Sequence, residues 1–317
     1  MRLGDRHMRA KSYTPRNAWR IALIAAALTV GACDAVNEIA NKGDDADVRY
    51  YVSLGTSLSV GVQPNGSGIP LPTNDGYADQ LFDSIKPAFD TGETQARDLK
   101  LVKLGCPGET LPDMVDGGSC PYIAGSQLNA ALAFLTDNGD KVHLVTIDIG
   151  GNDFRNGYGD CLDTADPIGC ADTLSAQIAA DLAPVLAALR VAAGPGTTII
   201  GMNYYNPYLS SWLEGDAGKA LAAQSMEAVG NVTGYLDTTY GAAVIPLADV
   251  ALAFQSNDET LVSSPLPPPN DQGLLPINVV NICLFTYQCD PDPIGPDIHA
   301  NTAGYSLIAA TIEALLP

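Results

Sequence analysis

The chain has 317 residues, of which 46% are hydrophobic and 16% are charged, and its formal net charge is −20. This composition supports one large or two modest domains with a sizeable buried core and excludes a disordered chain. A surface this acidic repels phosphate backbones, so we expect no nucleic-acid partner.

The N-terminal segment has the features of an export signal. Six of the 16 Lys and Arg residues lie within the first 20 residues, and the apolar run IALIAAALTVGAC follows at 21–33. About 12 apolar residues are too few for a membrane-spanning helix, which needs roughly 20, whereas a basic stretch before a short apolar run is typical of a signal peptide. We predict a signal peptide at 1–32 and an exported protein.

The sequence VGAC at the end of this run resembles the lipobox of bacterial lipoproteins. The resemblance implies lipidation of Cys33 and a lipoprotein anchored to a membrane, at the cell surface or in the periplasm. Cleavage after Ala32 to give a free secreted protein is the alternative. Residues 33–47 then form a tether before a single domain at 48–317. Because 1–32 carry six basic residues and one acidic residue, the mature chain has a formal charge of −25.

In the rest of the chain, strand-like apolar segments alternate with Ala- and Leu-rich helical segments. This alternation predicts a three-layer α/β/α sandwich with a mostly parallel, flavodoxin-like five-stranded sheet. The predicted strands are 48–54, 99–104, 142–149, 197–204 and 242–247, and the predicted helices lie around 76–89, 125–137, 172–193, 216–239 and 302–315. In such folds the chemistry lies at the carboxyl ends of the strands.

The first strand ends in GTSLSVG, which brings Ser57 to the carboxyl edge of the predicted sheet. A strand-to-helix turn here would aim backbone N–H groups of the coming helix into a cleft, as a serine nucleophile requires. Small hydroxyl residues in such turns are also ordinary helix caps. The turn alone therefore leaves both interpretations open.

The next two strand ends carry candidate hydrogen-bond donors. GCPGETL presents the backbone N–H of Gly108 without an obstructing side chain, and GGNDF presents the amide of Asn152. Acyl transfer needs such donors to stabilise the developing oxyanion. A tight turn set by Pro107 and a helix N-cap at 152–153 are the structural alternatives.

Histidine is scarce, which limits the choice of a general base. Of the three histidines, His7 leaves with the signal and His143 alternates within an apolar strand pattern. His299 lies in a loop just before the last predicted helix. If the protein uses a Ser–His pair, His299 is nearly the only base available.

Taken together, GTSL at 55–58, Gly108, GGND at 150–153 and His299 resemble the four motifs of the SGNH/GDSL hydrolase family, in the same order. The resemblance implies a serine hydrolase that forms an acyl-enzyme and uses no cofactor. Ser57 would be the nucleophile and His299 the general base and then acid. The N–H groups of Ser57 and Gly108, with the amide of Asn152, would form the oxyanion hole.

Two positions depart from the family motifs. Thr56 replaces the usual aspartate before the serine, and Pro296 occupies the place of the aspartate three residues before the histidine. A triad acid orients the histidine and stabilises its charged form. Asp297 is the first candidate. The alternatives are Asp292, Asp290 or a backbone carbonyl.

Beyond Cys33, six cysteines remain in three local pairs: Cys106 and Cys120, Cys161 and Cys170, and Cys283 and Cys289. An even count in an exported chain predicts disulfides, and nearest-neighbour pairing is our choice among 15 possible connectivities. The chain has no Cys-x-x-Cys motif and few histidines, so we expect no metal site.

A cluster of aromatic residues follows the fourth strand and is a candidate for the substrate wall, with loop packing as the alternative: Tyr204, Tyr205, Tyr208 and Trp212. We expect a monomeric esterase or lipase that cleaves carboxylic esters of small molecules or lipids. The alternatives are a carbohydrate O-deacetylase with the same residues, and a lipid-anchored binding protein with degenerate catalytic residues.

Overall fold

The computed structural model describes residues 48–91, 98–270 and 273–317. The predicted signal peptide, Cys33 and the tether lie outside the described residues, so export and lipidation remain predictions. The strands are β1 Val48–Gly55, β2 Gln63–Pro64, β3 Pro70–Leu71, β4 Asp98–Lys103, β5 Val142–Asp148, β6 Thr198–Met202, β7 Leu247–Ala248, β8 Leu261–Ser263 and β9 Leu274–Pro276.

Five of these strands form one parallel sheet in the order β4-β1-β5-β6-β7, while β2–β3 and β8–β9 are short antiparallel pairs. This order confirms the flavodoxin-like prediction. The helices are α1 Tyr77–Asp90, α2 Leu111–Asp116, α3 Gln127–Asn138, α4 Gly151–Cys161, α5 Pro167–Ala193, α6 Asp216–Ala242, α7 Val250–Ala253, α8 Ile277–Phe285 and α9 Thr302–Glu313, with 3₁₀ turns at Gly139–Lys141 and Pro207–Glu214.

Alternation along the strands divides the buried residues into two cores, one on each face of the sheet. On β1, Val52 and Leu54 pack into the core beneath α3 to α6, whereas Tyr51 packs into the core with α1, α7, α8 and α9. On β6, Ile199 and Ile200 divide in the same way. Helices therefore cover both faces, as the three-layer prediction requires.

The fifth predicted strand was misplaced. Residues 242–247 were expected to be extended, but α6 continues to Ala242, a turn follows in which Ile245 N donates to Tyr240 O at 3.0 Å, and the strand is only Leu247–Ala248. A short apolar run fits a helix end as well as a strand, so its periodicity cannot decide between them.

A helix was expected directly after β1, but the structure has none there. Ser57 begins a run of turns in which Val62 N donates to Ser57 O at 2.9 Å, and the β2–β3 hairpin precedes α1. Gly61 has a φ of +66° and lies so close to Gly76 that an added Cβ would be 2.6 Å from the Gly76 Cα. This close contact between two glycines closes the loop between Ser57 and α1.

All three predicted disulfides are present: Cys106–Cys120, Cys161–Cys170 and Cys283–Cys289. They are compatible with a protein outside the cytoplasm. Among the described helices, α5 is long and apolar enough to span a membrane by length and composition, a test that core helices of soluble proteins also pass. Its buried residues, such as Leu182 and Leu186, pack into the core of the domain.

Removal of the first disulfide should destabilise the domain. The Cys106–Cys120 bridge spans a sequence separation of 14 residues, and on the chain-entropy model such a loop contributes about 3 kcal/mol. We expect the variant Cys106→Ala/Cys120→Ala to lose free energy of unfolding of that order in chemical denaturation. A loss below about 1 kcal/mol would contradict the chain-entropy account.

Candidate active site

The candidate site is a cleft at the carboxyl ends of β1 and β5, where the strand order reverses and α/β folds bind ligands. The cleft encloses about 650 Å³, including space open to solvent, and Ser57, Asn152 and His299 all line it. Residues from three distant parts of the chain therefore meet as the sequence predicts.

The turn that carries Ser57 is fixed by hydrogen bonds to the neighbouring strand. Thr56 donates its backbone N–H and its hydroxyl to Asp148 Oδ1, at 2.9 and 2.6 Å. Gly55 has a φ of +128°, and a Cβ there would be 2.1 Å from the Asp148 carbonyl oxygen, so only glycine fits. Ser59 donates to Thr56 O at 2.7 Å, which makes its hydroxyl part of the turn.

Gln127 on α3 links this turn to the segment that contains Gly108. Its Oε1 accepts the N–H of Gly55 at 2.6 Å, and its Nε2 donates to Gly55 O at 2.9 Å and to Glu109 Oε1 at 3.2 Å. One buried amide therefore ties the end of β1 to the residue that follows Gly108.

Asp297 contacts the ring of His299 directly. The distance between His299 Nδ1 and Asp297 Oδ1 is 2.6 Å, and the same oxygen accepts the backbone N–H of His299 at 2.9 Å. Because this second bond closes a short turn, the carboxylate reaches the ring from two residues away. Burial raises the pKa of Asp297, but the hydrogen bonds and charge of His299 outweigh it and lower the pKa.

The loop of His299 is anchored on both sides. The hydroxyl of Tyr205 donates to Ile298 O at 2.7 Å, and Tyr287 N donates to His299 O at 3.1 Å. Within the described part of the chain, no hydrogen bond joins Ser57 Oγ to His299, and neither Asp290 nor Asp292 bonds to the ring. Catalytic hydrogen bonds often shorten only when substrate binds.

The candidate oxyanion donors lie on two adjoining segments. Asn152 Nδ2 donates one hydrogen to Glu109 O at 2.9 Å, which fixes the amide beside the cleft and leaves its second N–H available. Gly108 does not line the cleft itself, but it is exposed, has a φ of +82° and precedes Glu109 directly. The carboxylate of Asp153 accepts the N–H of Leu111 and draws this segment towards α4.

Three of the four predicted aromatic residues lie on the cleft wall: Tyr204, Tyr205 and Tyr208. Trp212 does not line the cleft. It lies in the 3₁₀ turn with the ammonium of Lys219 5.8 Å from its ring, so the wall does not include it. The remaining wall is largely apolar and comes from β1, α4, α6 and their loops: Leu58, Phe154, Pro207, Val229, Val232 and Ile298.

Sequence reasoning missed three polar residues behind or beside the cleft: Asp148, Gln127 and Arg155. A carboxylate within the apolar strand VHLVTIDI is the signal that could have identified Asp148, because buried charges are rare unless a function retains them. Gln127 and Arg155 lie in helices without such a signal. His143 is partly buried at the strand edge, edge-on to Phe89, as expected.

Comparison with known proteins places the chain in a family. The sequence pattern of the GDSL-like lipase/acylhydrolase family matches residues 51–312. The chain belongs to the GDSL-like lipase/acylhydrolase family. No curated protein matches it significantly in sequence.

Solved structures similar to this chain include two lipases, and the first shares its fold. A lipase from a goat rumen metagenome has 16% sequence identity and a TM-score of 0.52, with coverage of 84% of this chain and 96% of that chain. An extracellular lipase from Streptomyces rimosus has 17% identity and a TM-score of 0.49, with coverage of 83% and 99%. The GDSL-family chain thus spans nearly all of both proteins.

Two buried carboxyls in this GDSL-family site should make stability depend on pH. Burial raises the pKa of both Glu109 and Asp148 to about 7, from ordinary values of 4.5 and 3.8. The folded state therefore keeps protons that the unfolded chain releases between these values, so the free energy of unfolding falls as pH rises through this window. Glu109 Oε2 is buried without a hydrogen-bond partner among the described residues, so nothing there offsets the cost of burying its charged form.

We expect the urea midpoint to be higher at pH 5 than at pH 8, and the variant Glu109→Gln/Asp148→Asn to show a smaller difference. Asp297, whose pKa is lowered, contributes in the opposite direction and only as pH falls below the ordinary value of 3.8, outside this window. An equal difference in the variant and the natural protein would contradict the assignment.

Proposed function

We propose that this GDSL-family protein is an extracytoplasmic carboxylic ester hydrolase in which Ser57 is the nucleophile and His299 the base. The observation that carries the proposal is the joint placement of Ser57, Asn152 and His299 on one cleft, with Asp297 2.6 Å behind the histidine ring. Asp297 is proposed as the triad acid.

In the proposed reaction, His299 Nε2 takes the proton of Ser57 as its oxygen attacks the ester carbonyl. The imidazolium then gives this proton to the leaving alcohol, and the tetrahedral intermediate collapses to an acyl-enzyme on Ser57. Water, deprotonated by His299, then attacks the acyl group and releases the acid with Ser57 restored. Asp297 holds the Nδ1–H and stabilises the imidazolium in both steps.

The oxyanion is proposed to bind the N–H groups of Ser57 and Gly108 and the free N–H of Asn152. These groups are held before the reaction by the Asp148, Gln127 and Glu109 contacts, so they need no reorganisation as charge develops. The apolar wall, with Phe154 and Val229 among its members, suits an acyl chain or another apolar portion of the ester.

Loss of the Asn152 amide should slow the chemical step. For Asn152→Ala we expect kcat to fall about 100- to 1,000-fold with little change in KM, because the donor acts mainly on the developing oxyanion. Steady-state kinetics on a p-nitrophenyl ester measure both constants. A variant that raises KM without lowering kcat would show that Asn152 binds the ground state instead.

A substrate panel tests the proposed function. The panel contains p-nitrophenyl esters of increasing acyl length together with acetylated xylan oligosaccharides and other acetylated sugars. We expect the acyl esters to have the higher kcat/KM because the wall is apolar. Preference for the acetylated sugars would support the O-deacetylase alternative, and binding without hydrolysis would support the binding-protein alternative.

Export, anchoring at Cys33 and a monomeric state are part of the same proposal. The three disulfides support a location outside the cytoplasm. The partners in this proposal are an ester substrate and, through the lipidated Cys33, a membrane.

A further inference from the structure

Asp148 is a buried carboxyl group that takes no part in the proton transfers of the proposed reaction. It ends β5, is fully buried, and accepts three hydrogen bonds from side chains and backbone. Two come from Thr56, the residue directly before Ser57, and the third comes from the Tyr77 hydroxyl to Oδ2 at 2.8 Å. Its bonding capacity is therefore directed mainly at the nucleophile turn.

No opposite charge compensates Asp148 within the described residues, where it forms no salt bridge. Burial raises its pKa to about 7, and the bonds from Thr56 and Tyr77 oppose this rise. A buried carboxyl without a counter-ion costs folding free energy, so an apolar residue would suit simple packing better. The charge of Asp148 contributes to the raised pKa of six tyrosines: Tyr51 on β1, Tyr77 on α1, Tyr204 and Tyr205 after β6, Tyr240 on α6 and Tyr305 on α9.

We propose that Asp148 is a positioning residue that holds the Gly55–Thr56 turn so that the hydroxyl and N–H of Ser57 face the substrate. It takes the place of the acidic residue that the GDSL motif carries at position 56, and supplies the carboxylate from the neighbouring strand. A hydroxyl and a carboxylate could form the bond between positions 56 and 148 in either arrangement, with the acid at 148 as here or with the acid at 56.

Variants at these two positions test the proposal. For Asp148→Ala we expect kcat to fall about 100-fold with KM within about 3-fold, because a small displacement of the nucleophile affects the chemical step. The exchange variant Thr56→Asp/Asp148→Thr moves the acid to position 56, where the family motif has it, and should keep kcat within about 10-fold of the natural protein. Thr56→Asp alone places two carboxylates next to each other, so its kcat should stay well below that of the exchange variant.

Thr146→Val is the matched control, because Thr146 is buried on the same strand and bonds to Tyr51 and Ser53 but not to the turn. It should lower stability and leave kcat unchanged. A kcat loss in Thr146→Val equal to that in Asp148→Ala, or no recovery in the exchange variant, would overturn the proposal.

A pH profile gives a readout that a merely structural role would not move. Asp148→Asn keeps an acceptor for Thr56 but cannot titrate, so log kcat should fall less steeply below about pH 7 than in the natural protein. Parallel profiles would contradict the proposal. If Asp148→Ala does not fold, two variants of Thr56 test the proposal instead. Thr56→Val removes the hydroxyl and should lower kcat about 10-fold, whereas Thr56→Ser keeps it and should leave kcat nearly unchanged. Equal kcat values in these two variants would overturn the proposal.

Arg155 carries a second, independent inference. It lies on α4, is exposed and lines the cleft with Ser57 and His299. It forms no ion pair or hydrogen bond among the described residues, although its charge helps to lower the pKa of Asp297 and opposes the burial that raises the pKa of Tyr208. In a chain of net charge −20, the cleft thus carries a cation with no direct ion-pair partner among the described residues.

We infer, on the basis of the proposed ester hydrolysis, that the substrate carries a carboxylate or phosphate that binds Arg155. Apolar walls and one guanidinium at the open cleft suit an amphiphilic anionic ester, since the guanidinium geometry matches both anions. The inference concerns substrate binding and therefore KM, and it leaves the chemical step unchanged.

Two matched pairs of esters locate the anion. In the first pair, mono-p-nitrophenyl glutarate carries a carboxylate on the acyl side, and p-nitrophenyl pentanoate is its neutral counterpart. In the second pair, a monoacylglycerol 3-phosphate carries a phosphate on the alcohol side, and the monoacylglycerol is its neutral counterpart. We expect kcat/KM to favour the anionic member of at least one pair about 10-fold, with Arg155→Gln abolishing the preference and Arg155→Lys retaining part of it.

The neutral esters serve as the control, because Arg155→Gln should lower kcat/KM for the anionic member of a pair about 10-fold more than for its neutral member. Hydrolysis of neutral esters without any preference in either pair, or an equal loss on both members, would overturn the role of Arg155 alone. No hydrolysis of any ester would instead overturn the proposed function.

Discussion

Replacing Ser57 by alanine is expected to lower kcat/KM for a p-nitrophenyl ester by about 10⁴-fold or more, because removal of the nucleophile leaves only binding and oxyanion stabilisation. The residual rate should still depend on Asn152. Ser57 is buried except for its face on the cleft, so the fold should survive the loss of one hydroxyl.

The matched control is Ser59→Ala, which removes a buried hydroxyl from the same turn. Ser59 donates a hydrogen bond to Thr56 O and is not among the residues that line the cleft. Loss of its hydroxyl should therefore lower the free energy of unfolding by about 1 kcal/mol and reduce kcat/KM less than about 10-fold. If Ser57→Ala keeps its activity while Ser59→Ala loses it, the nucleophile has been assigned to the wrong hydroxyl.

Replacing Asp297 by alanine should lower kcat by about 10³- to 10⁴-fold with a small change in KM, because the imidazole loses the partner that fixes its tautomer and stabilises its charge. The 2.6 Å contact to His299 Nδ1 is the structural basis for this expectation. The loss should be measured on the same ester and at the same pH as for the serine variant.

Asp290→Ala and Asp292→Ala are the controls for this prediction, because both carboxylates belong to the same loop but neither bonds to the ring. Each should keep kcat within about 3-fold. Equal activity in all three variants would indicate that a backbone carbonyl orients His299 in a dyad. A large loss in Asp292→Ala alone would assign the acid there.

The sequence predicted the parallel sheet because apolar strands alternate with helical segments in a local pattern. The meeting of Ser57, Asn152 and His299 was implied by the resemblance to the family motifs. The sequence could not decide the acid partner. The spacing from Asp297 to His299 is too short for the family pattern, and only the three-dimensional turn in which Asp297 Oδ1 accepts the His299 N–H brings the carboxylate to the ring.

Other features depend on contacts between distant segments, which local sequence patterns do not predict. Gln127 joins the end of β1 to Glu109 across the fold, and Asp148 meets Thr56 from a strand 92 positions away. After Ser57 the chain forms turns and a hairpin instead of the expected helix, and a close contact between Gly61 and Gly76 closes this loop. Such packing leaves no periodic signal in the sequence.

Covalent labelling tests the central claim most directly. The protein is incubated with a fluorophosphonate, and the adduct is located by mass spectrometry of its peptides. We predict a single adduct on Ser57, formed much more slowly in His299→Ala because the serine then lacks its base. A stable adduct on another residue, or no adduct in a protein that still hydrolyses esters, would contradict Ser57 as the nucleophile.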